Sequence, residues 1–134
     1  MTIDKYIRSA NAEYSRITAL NVAVLTAPGR FRLISVTPED ARKIWKETPI
    51  RESAIGHEAT AKVMSTLLDD DIPVNRVKFV QEAGEIVMVL QMRERIPEGT
   101  VLTTVEEMDA IGYDFFLLYM GKADGQAGWL ERHC

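Results

Sequence analysis

The sequence predicts a single α/β domain: one mixed, mainly antiparallel five-stranded sheet flanked by helices. Three observations point there. Short runs rich in β-branched and aromatic residues recur at 20–26, 30–36, 74–80, 86–92 and 113–120. Between them lie stretches with helical spacing or helix-start signals. The chain has 134 residues, 46% of them hydrophobic, which fits one core and leaves no room for a second. The elements then run α-β-β-α-α-β-β-α-β, an order that packs helices against one sheet.

Taken in turn, Ile3, Ile7, Ala10, Tyr14 and Ile17 alternate steps of four and three, the spacing of one helical face. This first helix covers an edge of the domain or docks on a second subunit. Residues 20–26 (LNVAVLT) are β-rich and stop at Ala27-Pro28-Gly29, a turn signal. Residues 30–36 (RFRLISV) alternate polar and apolar, so the two runs are expected to pair as a hairpin. Thr37-Pro38-Glu39-Asp40 combines a capping residue, a proline at the first helical position and early acids, which starts a helix reaching Glu47. Thr48-Pro49 breaks it. A second helix spans about 57–68 after Ser53-Ala54-Ile55-Gly56, and Asp69-Asp70-Asp71-Ile72-Pro73 ends it.

Strands at 74–80 and 86–92 are expected to be joined through Glu82-Ala83-Gly84-Glu85. Pro97-Glu98-Gly99 is a loop. Thr104 with Glu107 three residues on is a capping-box pattern, and Gly112 stops the helix it starts. Residues 113–120 form the last strand, and the glycine-containing segment from Gly121 reads as a loosely held tail. The expected division is a helical extension over 1–19, the domain over 20–120 and a tail over 121–134.

Composition narrows the function classes. Sixteen Lys and Arg stand against twenty Asp and Glu, a formal net charge of −4. Proteins that coat duplex DNA draw affinity from neutralised phosphates and carry a basic excess, so that class is disfavoured. A small anionic ligand remains compatible, because a few arginines focused in a cleft dominate locally. Cys134 is the sole cysteine, which excludes an internal disulfide and agrees with a reducing cytoplasm. No apolar run approaches the roughly 20 residues needed to span a bilayer. Residues 1–10, with Asp4, Lys5 and Arg8, lack the apolar block of a signal peptide. A soluble, cytoplasmic protein without membrane contact is expected.

Familiar catalytic signatures are missing: no phosphate-binding glycine loop, no nucleophile elbow, no cysteine pair spaced for zinc. With two histidines, one of them His133 in the tail, a histidine metal site is not expected, nor is any cofactor. The run Asp69-Asp70-Asp71 is most simply a solvated helix end. His57 stands out. It follows Gly56 at a helix start, where free backbone N–H groups and the helix dipole favour an anion. An imidazole titrates near neutral pH and can hand a proton to a leaving group. The competing reading is a capping or packing histidine. Arg95, in Arg95-Ile96-Pro97-Glu98-Gly99, follows a strand on a proline-stiffened loop and can fork onto a phosphate, with Glu98 able to orient it or a ribose hydroxyl. The competing reading there is a surface ion pair of at most about 1 kcal/mol. Asn75-Arg76 and Gln91 are further polar candidates, neither specific alone.

The stretches LNVAVLT, SAIGHEATA, PVNRVKF and VLQMRERIPEGTVLT, in that order, resemble the small viral and bacterial ring nucleases of type III CRISPR signalling, which include a viral anti-CRISPR. The likeness covers about 20–119, and its most specific parts are Gly56-His57-Glu58-Ala59-Thr60 and Arg95 to Gly99. It implies a homodimer that binds cyclic tetra-adenylate across its interface and cuts it without metal into linear di-adenylates ending in 2′,3′-cyclic phosphate. It further implies His57, Arg95 and Glu98 as catalytic, and Asn21, Val24, Leu25, Thr60, Arg76 and Gln91 as substrate contacts. One departure stands out: Val24 occupies a place where a viral member has serine, leaving backbone N–H groups of Val24 and Leu25 to serve. Two other readings stay open: a protein that sequesters the ring without cutting it, and an interaction module recruiting a partner through its first helix.

Overall fold

The computed structural model describes residues 2–7, 16–96 and 102–121. Five strands, β1 (Arg16–Leu20), β2 (Phe31–Val36), β3 (Ile50–Ser53), β4 (Ile86–Met92) and β5 (Tyr113–Met120), form one sheet in the order β2-β5-β4-β1-β3. Helices α1 (Pro38–Glu47), α2 (Glu58–Leu68) and α3 (Val105–Ile111) connect them, and Thr2–Lys5 forms a short 3-10 turn. β1 runs parallel to both neighbours, β3 and β4. β5 is antiparallel to β4 and β2, and these are the longer pairings, so the sheet is mixed and mainly antiparallel.

Parallel neighbours cannot be joined by tight turns. The chain leaves β1 and reaches β3 through β2 and α1, then leaves β3 and reaches β4 through α2. Both crossover helices pack on one face. Their buried residues (Ala41, Ile44 and Trp45 of α1; Val63, Met64, Leu67 and Leu68 of α2) share one core with Ile17, Ala19, Ile86, Met88, Leu90, Phe115 and Leu117 of the sheet. The opposite face carries a smaller cluster of Leu20, Val87, Val89 and Leu118, backed by Phe31, Ala54, Phe79 and Phe116, to which no helical residue belongs. β4 is therefore buried on both faces, which is why Ile86 to Leu90 reads as an unbroken apolar run.

The helix punctuation is as expected. Thr37 accepts from Asp40 N at 3.1 Å, Pro38 takes the first helical position, and Thr48 closes α1 with its hydroxyl donating to Ile44 O at 2.7 Å. α3 begins with the Thr104–Glu107 capping box and ends at Gly112, whose φ of 88° suits a residue without Cβ. Hydrogen bonds from Thr103 and Thr104 hold the Glu107 carboxyl below its ordinary range. No helix among the described residues is long and apolar enough to cross a membrane.

Several segments before β4 depart from expectation. Ile3 and Ile7 are buried in the main core, but from a 3-10 turn and the residues just after it, and Ile17 lies in β1 rather than on a helix. Residues 8–15, where that helix was expected to run, lie outside the described residues, as does the tail beyond Gly121. The first strand is 16–20, not 20–26, so the expected boundary after residue 19 falls inside β1. Asn21 to Leu25 is an exposed loop. No hairpin joins β1 to β2. Both edges of β1 are already taken by β3 and β4, and β2 pairs with β5 instead. β3 was not foreseen, since Ile50-Arg51-Glu52-Ser53 is a mostly exposed edge strand without an apolar alternation. Residues 74–80 make no strand: Val74, Val77 and Val80 are exposed, and the segment lies over the second face with Phe79 turned in. The Glu82–Glu85 turn forms, Glu85 N donating to Glu82 O at 3.0 Å, but it does not join two strands.

Candidate functional site

Because β1, β3 and β4 are parallel, their carboxyl ends fall on one edge of the sheet, where ligands of open α/β sheets gather. The connections leaving that edge carry nearly every candidate. Asn21, Val24 and Leu25 follow β1; His57 and Thr60 follow β3 at the start of α2; Gln91 is the penultimate residue of β4, and Arg95 comes three residues after that strand ends. Glu98 lies outside the described residues.

His57 is the N-cap of α2, in extended backbone geometry, and it is exposed rather than packed in the core. Its carbonyl accepts the first helical hydrogen bond, from Ala61 N at 3.0 Å, yet its side chain makes no capping bond. The imidazole is thus committed to nothing in the helix, and the first-turn N–H groups lack a side-chain acceptor, an arrangement suited to an anion. Thr60, in the first turn, is buried. Glu58 beside it pairs along the helix with Lys62 at 3.6 Å.

Arg76 enters from the irregular segment over the second face. Its Nε donates to the Gly56 carbonyl at 2.9 Å, and its Cγ lies 3.5 Å from where a side chain at Gly56 would begin. The guanidinium therefore sits against the residue preceding His57. Arg95, Asn21, Val24, Leu25 and Gln91 are all exposed. A cleft of about 450 Å³ lined by Trp45, Arg51, Ser53, Asp70, Pro73 and Asn75 lies beside β3, and one of about 320 Å³ beside Arg93 and Tyr113; neither is lined by His57 or Arg95. Among the described residues no His, Cys, Asp and Glu side chains group as a metal site.

One residue escaped the sequence reading. Arg93, just past β4, donates to Asp114 through Nε at 3.1 Å and Nη2 at 2.9 Å, and its backbone N–H donates to Gly112 O at 2.9 Å. The Arg93 hydrogen bonds hold the Asp114 carboxyl below its ordinary value and push the guanidinium up in turn. This pair anchors the base of the connection that carries Arg95. Only the β4–β5 register, which sets Gln91 opposite Asp114, reveals it.

Comparison with known proteins adds to this geometry. The STIV B116-like family matches residues 17–115, a span containing every candidate named above. The chain belongs to that family. It is 36% identical over 102 residues to Uncharacterized protein 26 of Sulfolobus islandicus filamentous virus (isolate Iceland/Hveragerdi), covering 73% of this chain and 86% of the relative. It is also 36% identical over 90 residues to Uncharacterized protein ORF117 of Acidianus two-tailed virus, covering 66% of this chain and 77% of the relative. Among solved structures, B116 of Sulfolobus turreted icosahedral virus superposes with a TM-score of 0.67 at 20% identity, covering 78% of this chain and 98% of that one. That likeness establishes the shared fold. The relatives compared are thus proteins of archaeal viruses, and the fold is shared with B116.

Proposed function

We propose that this chain is a metal-independent ring nuclease that binds cyclic tetra-adenylate at a homodimer interface and cuts it to linear di-adenylate with 2′,3′-cyclic phosphate, switching off type III CRISPR signalling. The observation that carries the reading is the exposed, uncommitted His57 imidazole at the start of α2, with the Arg76 guanidinium held against Gly56 beside it. The sequence blocks that resemble ring nucleases supply the substrate class.

In this reading the substrate brings its own nucleophile. A ribose 2′-oxygen bonds to the adjacent phosphorus as the bond to the 5′-oxygen breaks; the 2′-hydroxyl proton passes to water. His57, as general acid, gives its proton to the departing 5′-oxygen and recovers one from solvent. General-acid assistance of this kind contributes about 10²–10⁴ in rate. Arg95 stabilises charge on the phosphoryl oxygens, with Glu98 orienting it. Asn21, Thr60, Arg76, Gln91 and the backbone of Val24 and Leu25 hold the ring in line for attack.

A two-fold dimer suits a four-phosphate ring, since each subunit then offers one His57 to opposite bonds. Exposed Val22, Val24, Leu25, Val74, Val77 and Val80, on loops outside the helical layer, support self-association. Incubation of the protein with cyclic oligoadenylates of several ring sizes, with EDTA present, tests the reading. Conversion of the tetra-adenylate ring to di-adenylate 2′,3′-cyclic phosphate is expected, and an intact ring overturns catalysis. A sequestering protein is the second reading, favoured by Val24, which brings no hydroxyl to the first loop. Single-turnover incubation separates the two, because a sponge retains the ring uncut.

A further inference from the structure

We propose that Asn75 is a positioning residue that clamps Arg76 at the His57 entrance, an inference resting on the reading of that entrance as a phosphodiester site. Arg76 sits in a segment without helix or strand, so no ladder of backbone bonds fixes it. Asn75 supplies the missing constraint with two donors at once. Its backbone N–H reaches the Ile55 carbonyl at 2.8 Å, and its side-chain Nδ2 reaches the Ser53 carbonyl, also at 2.8 Å. Ser53 returns a bond, its hydroxyl donating to Pro73 O at 2.7 Å while accepting from Ile55 N at 3.3 Å.

The clamp is rooted in the sheet. Ser53 is the last residue of β3, buried, and paired in register with Ala19 of β1. The connection leading into His57 and the segment bearing Arg76 are thereby tied together within two residues of each. Arg76 then uses Nε on Gly56 O at 2.9 Å, and among the described residues its two terminal nitrogens take no protein partner. A guanidinium held by Nε with both terminal nitrogens free is pre-set to fork onto a phosphate, so little of its side-chain freedom is left to lose on binding. Aspartate at position 75 would keep the shape but lose the Nδ2 donor, turning a carboxylate toward the Ser53 carbonyl.

The test uses Asn75→Asp, Asn75→Ala, Arg76→Ala and the double variant Asn75→Ala/Arg76→Ala, each first checked for an unchanged melting profile. In the free protein, the Arg76 Nε–H resonance is expected to be sharp and slow to exchange, and to be lost to rapid exchange in both Asn75 variants. Asn75→Ala is then expected to weaken cyclic tetra-adenylate binding about tenfold in the native background and less than about twofold when Arg76 is already alanine, the non-additivity of residues acting through one another. An Nε–H signal unmoved by Asn75→Asp and Asn75→Ala overturns the clamp, as does equal weakening in both backgrounds, which would mark Asn75 as general scaffold. If the native protein binds no ring, the ring nuclease reading fails while the Nε–H measurement still decides the clamp. Should Asn75→Ala alter the melting profile, Asn75→Asp carries the same two readouts.

Discussion

β4 and the segment 74–80 look alike as sequence and differ completely in the molecule. Both are valine-rich runs of about the same length, yet every residue from Ile86 to Leu90 is buried, whereas Val74, Val77 and Val80 stand exposed and form no ladder. Position in the sheet separates them. β4 has β1 on one side and β5 on the other, so its backbone groups and both faces are satisfied within the chain. The 74–80 segment instead lies across the finished sheet, tied down by Phe79, by the Asn75 bonds and by Gln81 N donating to the Thr26 hydroxyl at 2.7 Å. The same division holds for 21–25: apolar residues that resemble a strand form an exposed loop at the carboxyl end of β1. Apolar runs in this fold therefore take two forms, strands that fill the core and exposed segments at its surface.

That comparison can be sharpened by substitution, and the core shows the largest effect. Leu90→Ala removes a side chain buried on the helical face and is expected to cost about 2–5 kcal/mol in denaturant unfolding. Gly112→Ala comes next. With φ at +88° and the new Cβ only 2.8 Å from Arg93 Cδ, the variant strains the backbone and displaces the Arg93–Asp114 pair, an expected loss of about 1–3 kcal/mol. Val77→Ser, by contrast, is expected to leave folding stability within about 0.5 kcal/mol while weakening self-association in sedimentation. A Val77 variant as destabilised as Leu90→Ala would erase the distinction between the two regions.

The smallest effect is on pH dependence. Arg93 lowers the folded pKa of Asp114 below its ordinary 3.8, so the unfolded chain takes up its proton first. The stabilisation is complete above that value and is lost as pH falls through the folded pKa. Asp114→Asn is therefore expected to lower the melting temperature slightly at neutral pH, where the pair is fully formed, and to flatten the acid limb, so that variant and native profiles converge as pH falls through the folded pKa.

Much of the frame was legible where chemistry is local. Thr37-Pro38 and Thr48-Pro49 delimit α1, the Thr104–Glu107 box opens α3, and unbroken apolar runs mark β4 (86–90) and β5 (115–120). What escaped depends on partners distant in sequence. β3 is a polar edge strand, recognisable only through its pairing with β1. The missing β1–β2 hairpin follows from both edges of β1 being occupied. Of the site, His57 was legible as a polar residue at a helix start, and it is the exposed N-cap of α2. The Ser53–Asn75 clamp and the Arg93–Asp114 anchor were not, because each needs the sheet register before the residues meet.

In the proposed reaction His57 is the proton donor for ring opening. The most direct test of that role compares native protein and His57→Ala for both binding and single-turnover cleavage of cyclic tetra-adenylate, with chelator present. Retained binding with cleavage slowed by about 10²–10⁴ is the expected outcome. Cleavage by His57→Ala at the native rate would contradict it.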